Sequence, residues 1–205
     1  MKIEALGREW GWPDSDFECR RVVFDWARDL GLVYPYCRSF RTAIQAGGNM
    51  GVWPWLLAKK FVRVITAEPE PECLRYLREN VPQRNVEILS VALGSAPSRC
   101  SIQYEMGNLG AQFVVPGTDF EVVTVDSLGV ADCDLIYLDI EGAEMDALRG
   151  AVETIRKSWP VVVVEDKKLS ERFGYQKGDI EKWLAKDFGY RVAARPHRDV
   201  VLVHA

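Results

Sequence analysis

Three stretches of this sequence carry residue types and spacings that suit chemistry on a small ligand. The first is Gln45-Ala46-Gly47-Gly48-Asn49-Met50-Gly51. Glycines after an apolar strand let the backbone approach a ligand closely, and a helix starting there would offer N–H groups to an anion. The second is Glu68-Pro69, an acid at the end of the next apolar run. A carboxylate only accepts hydrogen bonds, so one placed there can bridge the two hydroxyls of a ribose. The third is Asp139-Ile140-Glu141-Gly142-Ala143-Glu144, three acids at a strand end and the next helix start, with Glu165 closing a further apolar run. Acids so placed can accept a proton or face a developing charge, and Asp139, Glu141 and Glu165 are the candidate catalytic groups. Gly47 and Gly51 are separated by Gly48, Asn49 and Met50, and no Gly-Lys-Ser/Thr follows. This disfavours a dinucleotide-binding Gly-x-Gly-x-x-Gly turn and a P-loop.

The elements that must hold these residues alternate along the chain. Apolar runs at Thr42–Ala46, Val62–Ala67, Val86–Val91, Asp134–Asp139 and Pro160–Glu165 read as buried strands. Helical periodicity marks segments from about Trp53, over Glu70–Asn80, over Ala143–Lys157 and over Asp179–Phe188. Residues 94–132 break the rhythm with three short strand-like runs and a glycine-bearing loop, Met106–Ala111. The closing pair Tyr190–Ala194 and Val200–His204, turned at Arg195-Pro196-His197-Arg198, is a hairpin signal. Strands alternating with helices predict an α/β fold: a Rossmann-like, doubly wound, mostly parallel seven-stranded sheet with a C-terminal β-hairpin. Residues 1–40 read as a small N-terminal helical extension, with one helix over Phe17–Leu30 ended by Gly31, and 41–205 as the main domain. Among the aromatics of that extension, Trp10, Trp12, Trp26, Tyr34 and Tyr36 either line a pocket or pack against the core.

Composition narrows the classes. The chain has 205 residues, a formal charge of −4, 48% apolar and 27% charged residues, a globular balance. No long apolar run is present, so no membrane span is expected. The five cysteines are scattered with no Cys-x-x-Cys pair, and no signal-peptide pattern is read, which predicts reduced thiols and a cytoplasmic home. With two histidines and no ligand-type spacing, no metal site is assigned. Nucleic-acid binding is disfavoured: the basic pairs Arg20-Arg21, Lys59-Lys60 and Lys167-Lys168 are isolated and form no stripe.

Together the three stretches resemble the FkbM family of methyltransferases, over roughly residues 40–166. Its members carry an Asp-x-Gly-Ala-Asn-x-Gly-like turn, a Glu-Pro after the second strand and an Asp-x-Glu-Gly-x-Glu block. Supporting segments are Val91-Ala92-Leu93-Gly94, Thr124-Val125-Asp126-Ser127-Leu128 and Leu148-Arg149-Gly150-Ala151. The resemblance implies S-adenosylmethionine as cofactor. The turn (Gln45, Gly47, Gly48, Asn49, Gly51) would hold its methionine part, and Glu68-Pro69 its ribose. Ser90, Val91 and Ala92 would lie against the adenine, and Asp139 near the sulfonium. It implies methyl transfer to a hydroxyl of a small molecule or sugar. The chain departs from the pattern at Gln45, where the family usually has an acid; an amide accepts hydrogen bonds but carries no charge to pair with the methionine ammonium. That departure keeps a non-catalytic cofactor-binding module as an alternative, and a nucleic-acid methyltransferase is the other.

Overall fold

The computed structural model describes residues 1–165 and 168–205; Lys167 of the Lys167-Lys168 pair lies outside the described residues. The chain opens with a hairpin, β1 (Lys2–Ala5) and β2 (Arg8–Gly11), paired antiparallel. Its two-residue turn, Leu6-Gly7, has φ of 52° and 74°, the left-handed pair a tight hairpin turn needs. A purely helical extension is therefore corrected at its start.

The single helix predicted over Phe17–Leu30 is also corrected. It is a chain of short turns around α1 (Val23–Trp26) and α2 (Leu30–Val33), and Gly31 lies inside α2 rather than ending a helix. Val22 breaks the path with φ −123° and ψ −28°. The bends keep Val23, Ala27, Leu30 and Val33 buried along one face, so packing dictates the path more than propensity does.

From Thr42 onward the alternation holds. The elements are β3 (Thr42–Ala46), α3 (Val52–Leu57), β4 (Arg63–Ala67), α4 (Pro71–Asn80) and β5 (Val86–Leu89). Glu70 caps α4 by accepting from the Cys73 N–H (2.6 Å), with Pro71 in the first turn, where a missing N–H costs little. Four short strands follow: β6 (Ala92–Leu93), β7 (Ser98–Gln103), β8 (Phe113–Pro116) and β9 (Phe120–Val123). Then come β10 (Cys133–Leu138), α5 (Glu144–Arg149), α6 (Val152–Ser158), β11 (Val161–Glu165), α7 (Asp179–Phe188), β12 (Tyr190–Ala194) and β13 (Asp199–His204). The helix predicted over Ala143–Lys157 is two helices. The Asp126 carboxylate accepts the N–H groups of Glu153 (3.0 Å) and Thr154 (2.8 Å) and so starts α6 anew.

Seven strands form one mixed sheet in the order β12-β13-β11-β10-β3-β4-β5. The pairs from β11 across to β5 are parallel, and β13 runs antiparallel to both β11 and β12. One face packs Ala43, Val64, Tyr137 and Val163 against Trp10, Met50, Leu57 and Leu77. The other packs Ile44, Ile65, Ile136 and Val164 against Leu148, Ile155 and Leu184. Burial on both faces explains why these strands read as continuous apolar runs. The short strands of residues 92–123 form a separate four-stranded sheet, β6-β9-β7-β8, and the third strand accordingly stops at Leu89, not Val91. Chain order reverses between β3 and β10, so their carboxyl ends flank the crevice where such sheets bind ligands.

Candidate functional site

The reversal point opens into a cavity of about 860 Å³. Its floor is the strand ends: Ala46, Gly47 and Asn49 after β3, Ala67, Glu68 and Pro69 after β4, Val91 to Leu93 beyond β5, and Asp139 to Glu141 after β10. Gly47 has φ +80°, and a Cβ there would overlap the Asp139 carbonyl oxygen. Only glycine lets the two strand ends approach this closely.

Every N–H from Gly47 to Gly51 is already donated within the protein. Gly47 and Gly48 give theirs to Ala67 O, Gly51 to Gly48 O, Asn49 to Glu68 Oε2 (2.8 Å) and Met50 to Asn49 Oδ1 (2.7 Å). With α3 only six residues long, the expected anion site at a helix start is not what this turn provides; it provides shape. Gln45 is also turned inward. Its amide donates to Ala46 O (3.0 Å) and Gly47 O (2.8 Å), and its oxygen accepts from the Thr66 hydroxyl. At 1% exposure, the Gln45 side chain braces the turn and does not line the cavity. Gly48 and Gly51 sit behind the wall, and exposed Ser90 also falls outside it, whereas Val91 and Ala92 are on it.

Glu68 is buried and accepts two backbone N–H groups, from Asn49 and from Glu70 (3.0 Å). Burial pushes its carboxyl up to about 7, against the pull of those two donors. A carboxylate has about four acceptor positions, so roughly two remain for a ligand.

The acidic end is more crowded. Carboxylate oxygens of Asp139, Glu141 and Glu165 lie within 4.8 Å of one another, close enough to share a positive charge. Burial, then Glu165, Glu141 and Asp199, hold the Asp139 carboxyl well above the ordinary carboxylate range, while Arg198 pulls it down. Glu141 and Gly142 turn the chain with φ 55° and 111°. The carboxylate of Glu144 accepts the N–H groups of Ile140 (2.9 Å) and Gly142 (3.3 Å) and so ties that bend. Glu144 is thus a strut and not a cavity group, and burial pushes it to about 7. Glu165, at the end of β11, is held behind the cavity by Arg198 (2.9 Å).

Arg198 lines the cavity, lies 3.8 Å above the Trp26 ring and brings a positive charge to the acids. Sequence reading assigned it no role. The signal would have been the β13 register, which sets Asp199 opposite Glu165 and Arg198 at the strand-end edge; a lone sequence does not give register. Asp199 accepts from the Tyr137 hydroxyl (2.5 Å), and burial first, with Glu165 adding to it, raises it to about 6. His197 is exposed, pairs with Asp29 and is not among the residues that line the cavity.

The roof comes from remote parts of the chain. Phe17 to Trp26 and Asn108 to Val114 close over the cavity, with Leu169 beside them. The two segments are stitched together: Phe17 and Glu18 donate their N–H groups to Gly107 O (3.1 and 3.2 Å). The Asp16 carboxylate, which also takes the Trp12 indole N–H (2.6 Å), accepts the Cys19 N–H (3.2 Å). The Cys19 thiol in this roof is pushed far up, first by burial and then by Asp16, Asp139 and Glu141, so it stays protonated. Of the N-terminal aromatics, Trp10 and Trp12 are core residues, and Trp26 alone of the five lines the cavity.

A sheet with its order reversed at β3/β10, a glycine turn, an acid ending β4 and acids ending β10 give the architecture of the class I, S-adenosylmethionine-dependent methyltransferases. Solved structures of that class share the fold. A methyltransferase from Aquifex aeolicus, described as SAM-dependent, superposes with TM-score 0.53 at 15% identity, covering 93% of this chain and 95% of that one. A ribosomal protein L11 methylase from Lactobacillus delbrueckii subsp. bulgaricus gives TM-score 0.53 at 14% identity, covering 94% and 82%. The FkbM methyltransferase from Methylobacillus flagellatus KT gives TM-score 0.57 at 18% identity, covering 80% of this chain and 43% of that longer one. No curated protein matches the chain by sequence. The methyltransferase FkbM domain matches over residues 45–192, and the chain belongs to that family. Among the described residues, no helix is long and apolar enough to cross a membrane.

Proposed function

We propose that this chain binds S-adenosylmethionine and methylates a hydroxyl oxygen of a small molecule. The observation that carries this reading is the continuity of one cavity from Glu68 to Asp139 and Glu141. The residues present fit the cofactor. Glu68 has acceptor capacity left for two ribose hydroxyls, Val91, Ala92 and Leu93 offer an apolar wall for a purine, and the acids beyond Gly47 suit a cationic end. When bound, the cofactor supplies an activated methyl group. The chain's own tasks are then to align the acceptor oxygen, exclude water and accept a proton. Asp139 is the assigned proton acceptor: it lines the cavity, and a carboxyl held above its ordinary range is a stronger base once ionised. Glu141 and Glu165 keep it there, and Arg198 limits the charge they build up.

The alternatives weaken on the same grounds. Gln45 suggested a lost cofactor site, but its amide braces the turn, and the acids that face the cavity include Asp139 and Glu141. A nucleic-acid acceptor would want a basic approach, whereas the roofed cavity carries a cluster of acids. Calorimetric titration of S-adenosylmethionine into wild type and Glu68→Ala tests the proposal. Binding to wild type that collapses in the variant supports it; no binding to wild type overturns it.

A further inference from the structure

The acceptor end of the cavity differs in character from the cofactor end. Its apolar side chains are Val22, Val23, Trp26, Ile102, Leu109 and Phe113, with Glu18, Arg21, Asn108 and Gln112 among them. Against the apolar side chains a sugar lays hydroxyls that lose water without gaining a partner, whereas a flat aromatic ring covers them with no such loss. Asn108 is already engaged: its amide donates to Glu18 and its oxygen accepts from Gly110. Gln112 is different. It lines the cavity, and its buried Nε2 has no hydrogen-bond partner. That nitrogen is covered in this conformation, so a ligand's polar substituent pairs with it only once the Gln112 side chain turns toward the cavity.

The proton acceptors add an independent restriction. Among the described residues lining the cavity there is no histidine and no lysine; the candidate bases are carboxylates. A phenolic hydroxyl ionises near pKa 10, whereas a water-like aliphatic hydroxyl ionises near 15.7. For a given carboxylate base the phenol is easier to deprotonate by roughly 10⁶-fold. Trp26 stands where these two features meet, because Arg198 stacks on its ring at 3.8 Å and reaches Glu165 at 2.9 Å. Aromatic ligands gain orientation from offset or edge contacts with such rings.

We propose that the acceptor is an aromatic compound bearing a phenolic hydroxyl, held among Trp26, Phe113 and Ile102 with a polar substituent toward Gln112. The assignment rests on the methyltransferase reading above and narrows its substrate class. In the transfer, the phenolic O–H bond breaks and its proton passes to an Asp139 carboxylate oxygen, later leaving to solvent. An oxygen lone pair forms the new C–O bond to the methyl carbon. The methyl–sulfur pair stays on sulfur, so the sulfonium becomes a neutral thioether and an aryl methyl ether is released.

The test uses the whole chain in two stages. Titration with S-adenosylhomocysteine comes first; if it does not bind, the methyltransferase reading falls and takes this proposal with it. With the cofactor product bound, 2-naphthol, cyclohexanol and methyl α-glucoside are titrated separately, and methyl-labelled S-adenosylmethionine is then used to follow transfer to each. The expected result is saturable binding of 2-naphthol and labelled naphthyl methyl ether, with weaker binding and less label on the other two. Trp26→Ala should lower 2-naphthol affinity by roughly tenfold with cofactor affinity unchanged, and Phe113→Ala repeats the test should Trp26→Ala not fold. Cofactor binding with no 2-naphthol binding, or with label preferentially on the glucoside or cyclohexanol, overturns the phenol assignment while leaving the methyltransferase reading intact.

Discussion

The two ends of the cavity are built in different ways. The end proposed to hold the cofactor comes from adjacent strand ends of one sheet, each followed directly by a residue that lines the cavity: Gly47 after β3, Glu68 after β4, Asp139 after β10. The end proposed to hold the acceptor comes from segments that belong to no common element: Phe17 to Trp26, Asn108 to Val114 and Arg198. The first wall is rigid because a buried parallel sheet fixes it. The second is a roof stitched by a few backbone and carboxylate hydrogen bonds to Gly107 and Asp16. A sheet can hold chemistry in place while loops choose what is presented to it, and variants on the two ends should separate cleanly.

The largest effect is expected where the ends meet. Asp139→Ala should reduce methyl transfer by about 10²–10⁴-fold while cofactor affinity changes little; radiolabel transfer beside calorimetry reads both, and unchanged turnover would remove Asp139 from the chemistry. On the cofactor side, Glu68→Ala should weaken S-adenosylmethionine binding by roughly 100-fold, since two charge-assisted hydrogen bonds are lost. It also frees the Asn49 and Glu70 N–H groups, so Glu68→Gln, which keeps acceptor capacity, should fall between the two.

Next comes the brace beneath the turn. Gln45→Glu exchanges two donated hydrogen bonds for a carboxylate facing the Ala46 and Gly47 carbonyls. A loss of about 2–4 kcal/mol in denaturant unfolding is expected; unchanged stability would show that the turn does not depend on that amide.

Glu144 gives a pH signature. Its carboxyl is raised from 4.5 to about 7, first by burial, so the folded chain keeps a proton that the unfolded chain has released. The stability this contributes is complete below about 4.5 and is lost as pH rises through about 7. Glu144→Gln should therefore melt above wild type at pH 8, by at most ~3 kcal/mol, with the gap closing near pH 4. A gap that stays constant with pH would contradict the buried-proton account. The smallest effect belongs to Arg198→Met. Arg198 lowers the proton affinity of Asp139 and Asp199, so its removal should shift the acid limb of the pH–rate profile toward higher pH. A profile that does not move would leave Arg198 as packing on Trp26.

The sequence by itself determined the central strands and the strand-end residues that floor the cavity. Strands buried on both faces must be continuously apolar, helices must carry a periodic face, and residues that end strands stand next to them in the chain. Gly47, Glu68 and Asp139 were legible as strand-end residues on the cavity for that reason. Gln45 shows the limit: its position could be read, but only the fold sets its amide against Thr66 and two carbonyls rather than toward the cavity. Turn N–H groups that looked available are consumed by the Ala67 carbonyl and the Glu68 carboxylate, partners from the neighbouring strand. The opening hairpin was missed because Leu6-Gly7 is a faint turn signal beside the aromatic, helix-like stretch that follows. Only the tertiary structure brought Trp26, Phe113 and Arg198 to one cavity, because strand register, the separate four-stranded sheet and the path of the N-terminal segment are set by long-range packing that local sequence does not encode.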